Sequence, residues 1–122
     1  MRIVLVDDHP LVRKGLCAVL ALDESIRVVG EAESVKQAVE LIASSKPDLV
    51  LIDLRLSQEN GLDIVEEANK RKERCKCVIL TSFADPEDFR RAESSGVHGF
   101  ILKEALPEEI LYAIRIIGRG RK

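Results

Sequence analysis

Short runs of β-branched and other apolar residues alternate along this chain with stretches whose apolar side chains recur every three or four positions. The first kind predicts buried strands and the second amphipathic helices. "RIVLV" (2–6) reads as a strand, and residues 9–22 as a helix with Val12, Leu16, Val19 and Leu20 on one face and Pro10 in its first turn. A strand over 26–32 precedes a helix over 34–45, capped by Ser34, striped by Val35, Ala38, Val39 and Ile42, and stopped at Lys46-Pro47. "DLVLIDL" (48–54) is apolar on both faces, as a strand in the middle of a parallel sheet must be. A helix over 61–73, a strand over 75–82 and a helix over 85–95 follow, the last opened by Asp85-Pro86 and ended by Gly96. A strand over 99–103 and a helix over 106–120 complete the pattern. In the final helix Ile110, Ala113, Ile114 and Ile117 share one stripe, while Leu111, Tyr112 and Ile116 point away from its centre. Five strands alternating with five helices predict an α/β fold, with right-handed crossovers and a parallel sheet covered on both faces.

Composition narrows this picture only slightly. The chain has 122 residues, 46% hydrophobic and 33% charged, which suits one folded domain with its own core. A net charge of −2 gives no electrostatic footprint for nucleic acid. Only the tail "GRGRK" is basic, and it reads as the start of a linker. No apolar run approaches the length of a bilayer span, and no leader pattern precedes the first strand. Three cysteines, Cys17, Cys75 and Cys77, read as free thiols, because "CKC" lacks the gap of a zinc pair. These features together predict a cytoplasmic chain without membrane partners.

The chemistry gathers at the carboxyl ends of the predicted strands, where open α/β sheets bind ligands. The first strand delivers Asp7 and Asp8, the third Asp53, the fourth Thr81 and the fifth Lys103. Clustered carboxylates repel one another, and a hard divalent cation removes that penalty. Mg²⁺ fits, since it takes oxygen ligands and often shares them with phosphate. Asp53 can then act as a nucleophile on phosphorus, Thr81 as a donor to a phosphoryl oxygen, and Lys103 as the cation facing either partner. No glycine-rich loop of the Walker type marks a nucleotide donor.

Taken together, "LVDDH", "DLVLIDLRL", "VILTS" and "GFILKEA" resemble the receiver domain of two-component response regulators over essentially the whole chain. "DDHPLVRKGL", "VVGEAES" and "GVHGFILKEALPEEILYAIR" are most similar to the NarL/LuxR type, whose output is a helix-turn-helix domain. The resemblance implies a doubly wound, flavodoxin-like receiver fold with strand order 2-1-3-4-5. It implies phosphorylation of Asp53 by a histidine kinase with Mg²⁺ as cofactor. The metal ligands it implies are Asp7, Asp8, Asp53 and the backbone carbonyl of Arg55. Thr81 and Phe100 match the switch pair, so that phosphate draws Thr81 inward and Phe100 turns from exposed to buried. Phosphorylation-favoured homodimerisation through the first and last helices is implied as well. The boundaries expected are a receiver over 1–118 and a linker from 119–122 to a C-terminal domain, through which alone DNA would be bound. A stand-alone receiver acting by protein–protein contact is the alternative. One departure stands out: Leu56 and Ser57 occupy positions where the family commonly has Met-Pro.

Rival assignments fare worse. A phosphatase of the haloacid dehalogenase type needs an acid two places after its nucleophile, and Arg55 stands there. A flavodoxin-like cofactor binder needs a phosphate loop after the first strand, where this chain has two acids. The chain is therefore expected to be no enzyme beyond gaining and losing its own phosphate. Arg55 and Phe83, two places after Asp53 and Thr81, could hinder an attacking water and lengthen the life of that phosphate. His9 and His98 read as loop or cap residues, and "NKRKERCK" (69–76) as a solvated helix end.

Overall fold

The computed structural model describes residues 1–82 and 85–119. Its elements run β1 (Arg2–Val6), α1 (Pro10–Leu20), β2 (Arg27–Ala32), α2 (Val35–Ser45), β3 (Leu49–Asp53), β4 (Arg55–Leu56), β5 (Glu59–Asn60), α3 (Leu62–Lys70), β6 (Lys76–Thr81), α4 (Pro86–Ser95), β7 (Gly99–Leu102) and α5 (Pro107–Arg119). The main sheet is parallel and ordered β2-β1-β3-β6-β7. With the short β4–β5 hairpin left out, that is the expected order 2-1-3-4-5. Phe83 and the tail at 120–122 lie outside the described residues.

Alternation along each strand sends successive side chains to opposite faces of the sheet. Val4, Val6, Val50, Ile52, Cys77 and Ile79 pack on one side with Ile42 of α2, Val65 of α3 and Ala92 of α4. Ile3, Leu5, Leu49, Leu51, Val78 and Leu80 pack on the other with Leu16 and Leu20 of α1 and Ile114 of α5. The helices end where their local chemistry says they should. Ser34 accepts from the Gln37 amide to cap α2. Asp85 and Asp88 form a reciprocal capping box on α4, and Gly96 ends that helix in the left-handed region at φ 80°.

One expectation needs correction, and one element was not anticipated. Leu111 does not point away from the core: it is buried beside Ile110 and Ile114, so the apolar face of α5 is broader than its central stripe. Tyr112 and Ile116 are exposed, as expected. The segment after β3 forms a hairpin that the sequence pattern did not show. Arg55 pairs with Asn60 and Leu56 with Glu59 in an antiparallel hairpin whose turn contains Ser57 at φ 50°. Two-residue strands are too short for a period-two pattern to show, and Ser57-Gln58 is not a favoured hairpin pair.

Asp23, in the connection after α1, ties that region to α5. Its Oδ2 accepts from Arg115 Nε at 2.6 Å, and its Oδ1 accepts from the Ser25 hydroxyl at 2.6 Å. The Ser25 hydroxyl, followed by the Arg115 guanidinium, lowers the Asp23 carboxyl to about 2. A carboxylate with a depressed folded pKa adds stability above its unfolded value, near 3.9, and loses it as pH falls through the folded value. Arg115→Ala should therefore melt below the wild type at about pH 6, and the gap should close toward about pH 2. Thermal melts across that range measure it, and a gap that does not depend on pH would count against the ion pair.

Candidate functional site

The carboxyl ends of β1, β3, β6 and β7 bring the predicted residues to one edge of the sheet. Asp7 follows β1, and its amide donates to the Ala32 carbonyl at 3.0 Å. Asp53 closes β3 opposite Leu80 in the register. Thr81 closes β6 one residue further on, and its carbonyl accepts from the Lys103 amide at 2.8 Å. Asp7, Asp53 and Thr81 are buried, at 1%, 4% and 2% exposure. Neighbouring strand backbone thus surrounds three polar groups at the rim of an apolar sheet.

Lys103 Nζ lies 3.1 Å from Asp53 Oδ2 and 3.5 Å from Asp7 Oδ2, so one ammonium faces two carboxylates. The Arg55 amide donates to Asp53 Oδ1 at 3.3 Å. Burial pushes the Asp53 carboxyl up, the Lys103 ammonium draws it down, and the negative charge of Asp7 raises it again. The Asp53 charge is therefore held against the apolar sheet mainly by Lys103.

The acid doublet is less well served. Asp7 Oδ1 accepts from the His9 amide at 2.8 Å. Asp7 Oδ2 and Asp8 Oδ1 are buried without receiving a hydrogen bond, although Lys103 Nζ and His9 Nδ1 lie 3.5 and 3.0 Å away. Buried oxygens without donors are costly unless another cation meets them. Asp7, Asp8, His9 and Asp53 each present a ligand atom, all within 4.8 Å of one another. Three of those four donors are carboxylates, the hard oxygen set that Mg²⁺ prefers. The residues fit that ion.

Several neighbours were not anticipated. His9 occupies the N-cap position of α1, yet its ring turns to the acids and caps nothing. Arg55 reaches across to Asp88 Oδ2 at 2.7 Å, tying the hairpin to the capping box of α4. That contact needs two residues 33 positions apart, which no local pattern reveals. Phe100 is half-buried, and its ring stacks on Phe89 of α4 with centroids 4.5 Å apart. Gly61 sits where an added Cβ would lie 2.3 Å from the Asp53 carbonyl oxygen. A glycine opening the helix after the acid-bearing strand was the one visible signal for that close approach.

Comparison with known proteins agrees with this arrangement. The family model described as response regulator receiver domain matches residues 3–115. DevR/DosR of Mycobacterium tuberculosis, described as a DNA-binding transcriptional activator, is 35% identical over 121 residues, covering 99% of this chain and 56% of that protein. The response regulator VraR of Staphylococcus saprophyticus is 38% identical, covering 94% of this chain and 55% of its own length. The chain thus spans about half the length of these relatives. Among solved structures, the signal receiver domain of NarL from Mycobacterium tuberculosis superposes with a TM-score of 0.92 at 32% identity, over 98% of this chain and 97% of that one. A LuxR-family two-component response regulator from Aurantimonas gives 0.92 at 30% identity, over 99% and 86%.

Proposed function

Because this chain belongs to the response regulator receiver family, with relatives of the NarL/LuxR type, we propose that it is a switch set by phosphorylation of Asp53. The donor is a phosphohistidine of a sensor kinase. A carboxylate oxygen of Asp53 attacks phosphorus, the P–N bond of the donor breaks, and the departing imidazole nitrogen takes a proton. Asp7, Asp8, Asp53 and the Arg55 carbonyl would hold Mg²⁺. When bound, the ion neutralises charge on the transferring phosphoryl group and aligns it. Lys103 stays within reach of Asp53 to meet the incoming oxygens, and the Thr81 hydroxyl donates to one of them. The observation that carries this reading is the pair of buried, donorless oxygens on Asp7 and Asp8 beside an Asp53 held by Lys103.

Movement of Thr81 toward phosphate would release Phe100 from its place against Phe89 and change the face made by α4 and β7. Leu11 on α1 and Tyr112 and Ile116 on α5 are exposed apolar side chains that homodimerisation would cover. In a protein of the relatives' length, the dimer would position a DNA-binding domain to control transcription. Turnover is limited to the domain's own phosphate. No helix among the described residues is long and apolar enough to cross a membrane. A donor kinase of the family's kind would meet this domain in the cytoplasm.

Acetyl phosphate with Mg²⁺, followed by intact mass, tests the assignment. A phosphoryl adduct is expected in the wild type, lost on chelation with EDTA and lost in Asp53→Ala. An adduct that persists in Asp53→Ala would overturn it. Sizing the same samples tests the dimer.

A further inference from the structure

Of the five strands in the main sheet, β2 brings no residue to the candidate site. It reaches the site through Arg13 instead. Arg13 closes the first turn of α1, and its side chain is 13% exposed. A cation so near the amino end of a helix works against the helix dipole, and α1 has no acid in its first turn to offset it. Contacts outside the helix hold the side chain there. Its Nη1 donates to the Asp7 carbonyl at 2.6 Å, its Nε to Glu31 Oε1 at 3.0 Å and its Nη2 to Glu33 Oε2 at 3.1 Å. Glu31 and Glu33 flank Ala32, the last residue of β2, whose carbonyl accepts from the Asp7 amide at 3.0 Å. The backbone of Asp7 is therefore gripped on both sides, by Ala32 at its N–H and by the guanidinium at its C=O. A planar fork spans these acceptors in a way that a single ammonium cannot. The turn so held carries Asp7 Oδ2 and Asp8 Oδ1, the two buried oxygens that receive no hydrogen bond.

We propose that Arg13 is a positioning residue for the cation, fixing the turn that carries Asp7 and Asp8 against the end of β2. The inference rests on the Mg²⁺ site of the proposed function. Mg²⁺ demands near-ideal octahedral geometry, so ligands already in place hold it more tightly than ligands that must be ordered on binding. Groups that orient a metal's ligands from behind are worth about 10–100-fold in affinity. Arg13 touches no ligand oxygen of the site; it acts through the Asp7 backbone. Charge alone makes the opposite prediction. The guanidinium is a cation near the site, and its removal leaves Glu31 and Glu33 unopposed, which would draw Mg²⁺ in. Affinity falls on the first account and rises on the second when Arg13 is lost.

Titration of Mg²⁺ into the isotope-labelled chain, followed by NMR through the amide shifts of Asp8 and Lys103, reads affinity and fold together. In Arg13→Ala the dissociation constant should rise by about tenfold or more. Arg13→Lys keeps the charge but cannot span the same acceptors, so its constant should rise too, by less. The Mg²⁺ concentration giving half-maximal phosphorylation by acetyl phosphate should increase by the same factor in each variant. Mg²⁺ held by Arg13→Ala at wild-type strength or more tightly would overturn the proposal. So would wild-type affinity in Arg13→Lys, which decides the matter if Arg13→Ala does not fold. A wild type whose shifts ignore Mg²⁺ would remove the cation site and this inference with it, whereas binding that survives unchanged in Arg13→Ala would remove the role of Arg13 alone.

Discussion

Asp7→Asn is expected to make the metal-free protein more stable and to leave it unable to take phosphate. Asp7 is buried at 1% exposure, its Oδ2 receives no hydrogen bond, and its charge opposes ionisation of Asp53. Lys103 is 3.5 Å from it but already serves Asp53 at 3.1 Å. An amide keeps an oxygen for the His9 amide proton and removes the repulsion. The gain should be about 0.5–2 kcal/mol, the size typical of relieving strain stored at a functional site. Urea unfolding in EDTA measures it, and Asp53 should titrate lower in the variant. The same change removes one of the carboxylates proposed to hold the cation. On the proposed function, Mg²⁺ raises the melting temperature of the wild type by binding the folded chain and does little for the variant. Phosphorylation by acetyl phosphate should fall about 100-fold or more, the scale of losing a charge-stabilising group. A variant less stable than the wild type in EDTA would remove the argument that the acids are held at a cost.

Gly61→Ala should be destabilising for a reason unconnected with charge. Gly61 has φ −59° and ψ −23°, a conformation any residue adopts, and it leads into α3. The lower unfolded-chain entropy of alanine would by itself favour it there by about 0.4–1 kcal/mol. The added Cβ would lie 2.3 Å from the Asp53 carbonyl oxygen and 2.7 Å from Ile52 Cγ2, and neither atom can yield without moving β3. The Gly61 amide also donates to the Leu54 carbonyl at 2.7 Å, which fixes the approach. Overpacking of this kind costs about 1–3 kcal/mol, so the sign of the effect separates the two accounts. Phosphorylation should slow as well, because the backbone that moves carries Asp53. Unfolding of Gly61→Ala at or above the wild-type midpoint would rule out the close approach.

The sheet and its order were legible because each long element repeats its period several times. Leu49, Val50, Leu51 and Ile52 are all nearly inaccessible, as an uninterrupted apolar run between two helical layers requires. The charged residues of the site were legible because strand ends in an open parallel sheet share one edge. Contacts made by turns and by distant pairs were not. The Arg55–Asp88 ion pair and the Phe89–Phe100 stack join residues on different elements that no local period pairs. Leu111 was misplaced because a helix packed against both a sheet and a neighbouring helix buries a wider arc than one stripe. His9 does stand at the N-cap of α1, but the turn of its ring toward the two acids was not legible, because capping is a local rule and the acids supply a competing partner.

The convergence of four strand ends has a consequence for a chain still being made. Asp7 and Asp8 leave the ribosome first, then Asp53, then Thr81, and Lys103 after them. Until Lys103 emerges and β7 docks beside β6, the nucleophile lacks its counter-ion. On the proposed function, a nascent or truncated copy that lacks β7 takes no phosphate on Asp53.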